Sequence, residues 1–336
     1  MIKVACVGAG YFSQFHYEAW KRIDGVALVA SVDQNIDAAI ETGVAAYSDL
    51  NKMIAHETPN VVDIITPPST HYEIIRECVS AGIDLLICQK PFCTSFDEAE
   101  SAVQLCEQVG IPLIIHENFR FQPWYRVMKQ AMDSGQIGDV HQLTFKLRTG
   151  DGQGRGAYLD RQPYFQKMEK FLIHETGVHW VDTFYFLMGQ PNSIYADLRR
   201  MNDAICGEDA GYFIMEFDGG KRALFDGNRH LDHASSNCRL TFGECQIEGT
   251  KGTLFLDGEG RVHSRAFGSA ESAVLYNGPS GNCGFAGDCV HALQQHVVNG
   301  LKGEGGFENT GRDYLNVLSL VDAIYLSNEN GAKIPF

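Results

Sequence analysis

Two histidines and a glutamate lie within residues 174–179, HETGVH, and side chains of both types can bind a metal ion or move a proton. The helix of a zinc peptidase carries two histidines four residues apart. His174 and His179 are five residues apart, so this segment does not predict a zinc peptidase. Glu175, His179 and Asp182 instead follow the i, i+4, i+7 spacing of one α-helical face.

His179 is therefore a candidate general base. An imidazole has an ordinary pKa of about 6.5, which suits proton transfer near neutral pH. A carboxylate one turn away can orient the ring and stabilise its protonated form. A polar stripe that faces solvent is the alternative, but residues 171–189 are apolar nearly all round, which favours a specific role for Glu175 and His179.

Lys90 is the candidate cation of the same chemistry. It follows the apolar run 83–88 and lies between Gln89 and Pro91. Most lysines are solvated surface groups, whereas a lysine at the end of a buried strand is held in place. An ammonium group there could stabilise an alkoxide as it forms.

A proline-rich turn follows another apolar run. Thr66, Pro67 and Pro68 come directly after residues 61–65. Ligands of an open parallel sheet bind beyond the carboxyl ends of its strands. The pattern therefore predicts that this turn and Lys90 line one crevice.

Two glycines come directly after the first apolar run, residues 2–7. Gly8 would make a tight turn, and Gly10 would let a pyrophosphate approach the backbone at the start of the next helix. A glycine turn alone is a weak signal, and Ser13 stands where GxGxxG has its third glycine, although serine is small enough for helix–strand packing. The predicted cofactor contacts in this turn also include Tyr11 and Phe12.

Asp33 ends the second apolar run, residues 26–32. A carboxylate at this place can accept hydrogen bonds from both ribose hydroxyls of an adenosine, and it would repel a 2′-phosphate. Gln34 and Asn35 follow it, with no adjacent arginine or lysine. The pattern favours NAD over NADP; the alternative is that Asp33 only caps the helix that begins near Ile36.

Short apolar runs alternate with helix-like stretches through the first third of the chain. The runs are 2–7, 26–32, 61–65, 83–88 and 111–115, and the helix-like stretches lie near 14–22, 35–42, 70–81 and 95–109. This alternation predicts an α/β chain whose residues 1–120 form a Rossmann domain, with a doubly wound parallel sheet buried on both faces.

The pattern changes after about residue 120. Strand-like segments with turns between them occur at 140–148, 193–200, 210–217, 221–227 and 237–247, and helix-like segments at 171–189, 284–300 and 311–327. These segments predict a second α/β domain, residues 121–336, with a large open and mostly antiparallel sheet.

The composition narrows the function classes. The chain has 336 residues and a formal net charge of -15, which disfavours nucleic acid and anionic membranes as partners. Ten cysteines without a CxxC pair, and no leader or membrane-spanning run, indicate a reducing and therefore cytoplasmic location. Cys283 and Cys289 are isolated from other potential ligands, so no metal site is predicted.

Five ordered motifs together resemble the glucose-fructose oxidoreductase / inositol dehydrogenase (Gfo/Idh/MocA) family. The motifs are GAGYFSQFH, TPPSTH, QKPF, NFRFQP and ETGVHWVD, and the C-terminal NTGRDYLNVLSLVDAIYLS resembles that family's last helix. The resemblance covers essentially the whole chain. It implies NAD(P)-dependent oxidation or reduction of sugars, inositols and related polyols, and a homodimer or homotetramer formed through the C-terminal sheet.

This chain departs from the family pattern at two positions. Gln89 stands where the family has the glutamate of Glu-Lys-Pro, which removes a charge beside Lys90. Glu175 stands where the family has the aspartate of Asp-x-Gly-x-His, and the longer side chain could shift the substrate.

Four further residues are candidates for the site, two of them through the resemblance. Asn118 and Arg120 match the segment beside the nicotinamide, although Arg120 could equally form a structural interdomain ion pair. His71 contacts the cofactor or simply occupies the first turn of its helix. Tyr158, near the glycine-rich loop 150–156, could close over a substrate.

The leading hypothesis is an NAD-dependent dehydrogenase of a sugar or polyol. In this hypothesis His179 takes the hydroxyl proton, Lys90 stabilises the alkoxide and Glu175 orients the substrate or the imidazole. A ketoreductase or redox-cycling hydrolase of the same fold, and a non-catalytic NAD-binding sensor, are the alternatives.

Overall fold

The computed structural model describes residues 1–280 and 284–336, so Cys283 lies outside the described residues. The chain divides into two compact units. The first unit comprises Met1–Asn118 and Asp288–Leu318, and the second comprises Phe119–Gly287 and Ser319–Phe336. Asp288–Leu318, which the sequence pattern placed in the second domain, belongs to the first unit because its backbone bonds the sheet edge, with the Ile115 amide donating to the Asn309 carbonyl at 2.8 Å.

A six-stranded parallel sheet forms the centre of the first unit, as predicted. Its strands are β1 (Ile2–Val7), β2 (Val26–Val32), β3 (Ala45–Tyr47), β4 (Val61–Ile64), β5 (Leu85–Gln89) and β6 (Leu113–His116), in the order β3-β2-β1-β4-β5-β6. The connecting helices are α1 (Ser13–Trp20), α2 (Ile36–Glu41), α3 (Leu50–Glu57), α4 (His71–Ala81) and α5 (Phe96–Val109). Every residue of β4, β5 and β6 is buried, as expected for strands covered on both faces.

A nine-stranded sheet forms the second unit together with α6 (Pro123–Asp133) and α7 (Val178–Met188). Its strands are β7 (Val140–Leu147), β8 (Ser193–Arg199), β9 (Ala210–Glu216), β10 (Arg222–Asn228), β11 (Gly243–Gly249), β12 (Gly252–Leu256), β13 (Val262–Ala266), β14 (Ala273–Tyr276) and β15 (Ile334–Pro335). The sheet order is β14-β13-β12-β11-β7-β10-β9-β8-β15. The pairs are antiparallel as predicted, except that β10 and β7 run parallel.

Two long helices, α8 (Phe285–Leu301) and α9 (Gly311–Asn330), precede β15, and their bounds are near the predicted 284–300 and 311–327. Within the described ranges, no helix combines the length and the apolar character that crossing a bilayer requires.

Candidate active site

The parallel sheet places five predicted site residues at one edge. Asp33 follows β2, Gly8 follows β1, Thr66 lies two residues beyond β4, Lys90 follows β5 and Asn118 lies two residues beyond β6. Because all six strands run in the same direction, these residues share the carboxyl edge of the sheet. This edge is where open α/β sheets bind their ligands.

The two glycines of the turn after β1 have different surroundings. Gly8 has a φ of +110°, and a Cβ there would lie 2.9 Å from the carbonyl carbon and oxygen of Ile65. Gly8 therefore lets the turns after β1 and β4 approach each other. A Cβ on Gly10 would meet nothing within 4 Å, so open space lies over the backbone just before α1. That space at a helix N-terminus fits the pyrophosphate of a dinucleotide.

Side chains from α1 hold the carbonyls of this turn. The Ser13 hydroxyl donates to the Gly10 carbonyl at 2.7 Å, and the Tyr17 hydroxyl donates to the Gly8 carbonyl at 3.2 Å. Ser13 is buried, so the serine that replaces the third glycine fits at the helix–strand contact. The turn is thus pre-shaped by the protein itself.

Asp33 is tied to the glycine turn. One oxygen of its carboxylate accepts from the Ala9 amide at 2.7 Å, and the other accepts from the Asn35 amide at 2.8 Å. The N-cap of α2 is Asn35, whose side chain accepts from the Asp37 amide. The capping alternative for Asp33 is therefore wrong, and its charge lies beside the turn after β1.

His71 supports the proline-rich turn from inside the protein. The ring is fully buried, with Nε2 donating to the Thr66 carbonyl at 2.8 Å and Nδ1 accepting from the Cys93 amide at 3.4 Å. Burial lowers the pKa of His71, against a smaller opposing effect of the Thr66 carbonyl. Of the two alternatives for His71, the structure favours a role in holding the turn, because both ring nitrogens already bond the protein.

Lys90 and Asn118 are each held by a hydrogen bond within the first unit. The Lys90 amide donates to Oε1 of Gln89 at 2.7 Å, and the Lys90 side chain is part-buried. Asn118 is buried, and its side-chain amide donates to the thiol sulfur of Cys289 at 3.1 Å.

His179 of the second unit lies in the first turn of α7 with its ring fixed by an aromatic neighbour. The imidazole stacks on Phe119 with ring centroids 3.8 Å apart and planes 7° from parallel. His179 is 7% exposed and therefore buried. Phe119 belongs to the NFRFQP segment, but no residue pattern identified it as a partner of His179.

Glu175 does not lie on the same regular helix as His179. Residues Leu172–Gly177 form a π-helical turn, and α7 begins only at Val178. The prediction of one α-helix over 171–189 is wrong at its start, because a π turn closes with one extra residue. The 3.6-residue spacing therefore does not relate Glu175 to His179, and such turns occur often at functional sites.

A buried arginine holds Glu175 through a threonine. Arg229 donates to the Thr176 hydroxyl at 2.8 Å, and that hydroxyl donates to Glu175 at 2.7 Å. Arg229 is 3% exposed and also donates two bonds to Asp151, at 2.9 and 3.2 Å. Asp151 and Arg229 meet because they follow the parallel neighbours β7 and β10.

The charges of this pair stabilise each other. Burial acts to raise the pKa of Asp151, but the charge and hydrogen bonds of Arg229 outweigh it and lower that pKa. The pKa of Arg229 is correspondingly raised despite burial. Glu175 is therefore positioned by an ionised pair whose partners the sequence pattern did not reveal.

Tyr158 packs around the same arginine. It belongs to a buried cluster with Phe165 and Phe171, and the Arg229 guanidinium lies 4.9 Å from its ring centroid. The side chain is 6% exposed and its φ is +71°, which is strained for a tyrosine. The tyrosine predicted to close over a substrate is thus packed against Arg229 and these two phenylalanines.

Arg120 forms an ion pair, and its partner lies in the same unit. Its guanidinium donates to both oxygens of Asp182, with Nε to Oδ2 at 2.8 Å. Arg120 and Asp182 are 9% and 0% exposed at their side chains. Of the two alternatives for Arg120, the structure shows an ion pair, and it lies within the second unit.

In the part of the chain that the structure describes, no group of three or more histidine, cysteine, aspartate or glutamate side chains could hold a metal ion.

The fold and the carboxyl-edge site together define a dinucleotide-binding Rossmann unit coupled to a second unit built on a large sheet. The profile described as an oxidoreductase family with an NAD-binding Rossmann fold matches residues 2–116, and that of the GFO/IDH/MocA C-terminal domain matches residues 125–255. The chain belongs to the GFO/IDH/MocA family of oxidoreductases.

Individual relatives cover nearly the whole chain. D-apiose dehydrogenase of Paraburkholderia graminis is 30% identical over 99% of this chain and 89% of its own length. Inositol 2-dehydrogenase of Rhizobium meliloti is 24% identical, over 75% of this chain and 74% of its own. An oxidoreductase from Agrobacterium radiobacter, solved with NAD+, L-tartaric acid and magnesium, is 27% identical with a TM-score of 0.87, covering 99% of this chain and 98% of that chain.

Proposed function

We propose that this protein oxidises a hydroxyl group of a sugar or polyol with NAD as the hydride acceptor. The observation that carries the proposal is the glycine turn. Only glycine fits at position 8, because the Ile65 backbone lies too close for a Cβ, whereas Gly10 leaves open space at the start of α1. A turn shaped in this way fits a dinucleotide, and bound NAD supplies the hydride chemistry.

The chain's own side chains supply proton transfer and charge. His179 takes the proton of the substrate hydroxyl, with its ring held by Phe119. Lys90 donates a hydrogen bond to the same oxygen and stabilises the negative charge that develops there. Glu175, held by Thr176, binds a substrate hydroxyl or the imidazole.

NAD is preferred over NADP because of Asp33. Its carboxylate lies beside the turn after β1, where the Ala9 amide holds one oxygen. That negative charge can accept hydrogen bonds from ribose hydroxyls and would repel a 2′-phosphate. Tyr11, Phe12, Thr66, Pro67, Pro68 and Asn118 are proposed to complete the cofactor site, whereas both side-chain amide atoms of Gln89 already bond the protein.

The substrate class follows from the relatives and the site residues together. Hydroxyl-rich substrates such as D-apiose and inositol are named for relatives of this chain. Several hydroxyl groups need several hydrogen-bonding partners, and we assign these to Lys90, Arg120, Tyr158, Glu175 and His179.

Two further properties belong to the proposal. The nine described cysteines form no disulfide, which supports a reducing, cytoplasmic location. A homodimer or homotetramer forms through the part-exposed face of the nine-stranded sheet.

The test is the absorbance of reduced nicotinamide after the protein is mixed with NAD and single sugars, with D-apiose and myo-inositol in the panel. We expect NADH formation with at least one sugar or polyol, and a smaller rate with NADP. NADPH-driven reduction of the matching keto compounds, without oxidation in the other direction, would instead favour a reductase. Binding of NAD with no turnover on any polyhydroxy compound would overturn the proposal in favour of a sensor.

A further inference from the structure

His16 ends the GAGYFSQFH motif, and the cofactor turn does not use it. The ring is fully buried on α1, where Nδ1 lies 2.8 Å from Oδ2 of Asp63 and Nε2 lies 3.0 Å from Nε2 of Gln89. Gln89 also accepts from the Lys90 amide at 2.7 Å through its other amide atom, Oε1. Four residues from β4, α1 and the end of β5 thus form one continuous chain of hydrogen bonds.

The direction of each bond in this chain is determined by the groups at its ends. A backbone N–H can only donate, so Oε1 of Gln89 must face the Lys90 amide. Nε2 of Gln89 then faces His16 and can only donate as well. Nε2 of His16 must therefore carry a lone pair, and the ring proton lies on Nδ1, from which it is donated to Asp63.

Asp63 anchors the chain as a buried carboxylate. The Trp20 indole donates to the same Oδ2 at 2.8 Å, and the Gln294 amide lies 3.5 Å away. The His116 ring covers one face of His16, with centroids 4.1 Å apart.

We propose that Gln89, His16 and Asp63 form a positioning relay that holds the Lys90 backbone at the end of β5 through a neutral, Nδ1-protonated imidazole. The proposal rests on the role proposed above for Lys90. None of the three residues contacts the reacting atoms, and their contribution is to limit where the Lys90 ammonium can lie. A misplacement of about 1 Å at a reacting group can lower a rate by about a hundredfold.

The relay also explains how a glutamine is accommodated at position 89. A carboxylate there would face Nε2 of His16 and would draw a second proton onto the ring. The set would then carry two carboxylates and one imidazolium, the same formal charge as one carboxylate with a neutral ring and an amide. The glutamine thus changes the protonation state of His16 rather than the net charge of the buried group.

Nitrogen NMR of the full-length protein labelled with ¹⁵N-histidine tests the protonation state without reference to activity. At neutral pH we expect His16 to be protonated at Nδ1 alone, and to be protonated at both nitrogens in Gln89→Glu. The signal is assigned by its loss in His16→Asn or, should that variant not fold, by its response to Gln89→Met. Gln104→Glu, the same change at an exposed position of α5, serves as the control and leaves His16 as in the parent protein. A His16 protonated at Nε2 in the parent protein, or unchanged in Gln89→Glu, would overturn the relay.

Kinetics separate the relay from the proposed function. Gln89→Met should lower kcat by about tenfold to a hundredfold with NAD affinity within about twofold, and Gln89→Glu should recover most of that loss because it again accepts from the Lys90 amide. Equal turnover in Gln89→Met and the parent protein would refute the positioning role. Lys90→Met should abolish turnover while leaving the His16 signals unchanged. Full turnover in Lys90→Met would refute the proposed function, whereas the NMR result would still decide the protonation state of the relay.

Discussion

In the proposed function, the Asp33 side chain serves both the fold and cofactor selection. Its two oxygens accept backbone amides on either side, from Ala9 and Asn35. A carboxylate oxygen has two lone pairs, so each oxygen can accept one further bond from a ligand. The charge, rather than the hydrogen bonds within the protein, is what distinguishes NAD from NADP in this account.

Asp33→Asn should therefore change cofactor preference without unfolding the turn. Asparagine keeps one acceptor, for the Ala9 amide, but its amide nitrogen can only donate, so the charge and the bond from the Asn35 amide are both lost. A hydrogen bond to a charged group contributes about 1.5–3 kcal/mol, so KM for NAD should rise about tenfold or more, while KM for NADP falls. Steady-state kinetics with both cofactors measure this. Asp37→Asn, an exposed charge in the first turn of α2, is the control, and an unchanged NAD to NADP ratio in Asp33→Asn would contradict the role of Asp33.

Thr176→Val should separate Glu175 from its support. Valine keeps the shape but removes the hydroxyl that accepts from Arg229 and donates to Glu175. We expect kcat/KM to fall about tenfold, in line with the loss of about one hydrogen bond at a charged group. Stability should fall by about 1–3 kcal/mol because a buried guanidinium N–H loses its acceptor. Urea unfolding and sugar-dependent NADH formation give the two values, and Thr253→Val on β12 is the control. Wild-type kinetics in Thr176→Val would show that Glu175 needs no such support.

At the scale of elements, the turn between β1 and α1 combines two glycines with opposite requirements. Gly8 must be glycine because the turn after β4 lies against it. In the proposed function, Gly10 must be glycine because the cofactor approaches its backbone.

Gly8→Ala should therefore lower stability, whereas Gly10→Ala should weaken NAD binding. Alanine at position 8 forces a Cβ to 2.9 Å from the Ile65 backbone at a φ of +110°, so Tm should fall markedly. Alanine at position 10 meets no protein atom within 4 Å, so Tm should remain that of the parent protein while the Kd for NAD rises. Thermal unfolding and NAD titration of both variants check this. Unweakened NAD binding by Gly10→Ala would place the pyrophosphate elsewhere.

The sequence allowed the parallel sheet to be predicted better than the helix that bears His179. Strands buried on both faces read as continuous apolar runs, and the glycines and Asp33 follow their ends at informative spacings. β3 was not predicted, because its three residues are too few to show the alternation of a strand. The π turn before α7 has no residue pattern that distinguishes it from the start of an α-helix.

Tertiary contacts explain what else was not predicted. Arg229 meets a carboxylate 78 positions away in the chain, and His16 meets one 47 positions away. Neither pair has a local spacing, so only the arrangement of strands reveals them. The residues that hold the proposed catalytic groups are therefore harder to predict than the groups themselves.

At the scale of the whole molecule, the nine-stranded sheet has a row of part-exposed side chains across one face. Directly paired residues of neighbouring strands point to the same face. The row runs through Tyr195, Ile214, Leu224, Thr144, Gln246, Phe255 and His263. Several of these side chains are apolar or aromatic, which suits contact with the same face of a second copy.

Ile214→Arg should weaken association of the copies. A charge in the middle of this row would be buried without a partner in the assembled form, which costs several kcal/mol. Sedimentation velocity should show a dimer or tetramer for the parent protein and a smaller species for Ile214→Arg. Met201→Arg, an exposed position outside the strands, should leave the assembly unchanged. A parent protein that sediments as a monomer would contradict assembly through this face.

The most direct test of the central claim is the turnover of His179→Ala, measured as NADH formation with saturating NAD and the best sugar or polyol of the panel. The account predicts a loss of kcat of about a hundredfold to ten-thousandfold, the usual contribution of general acid–base catalysis, with the Kd for NAD unchanged. A kcat equal to that of the parent protein would contradict it, because His179 could not then be the base.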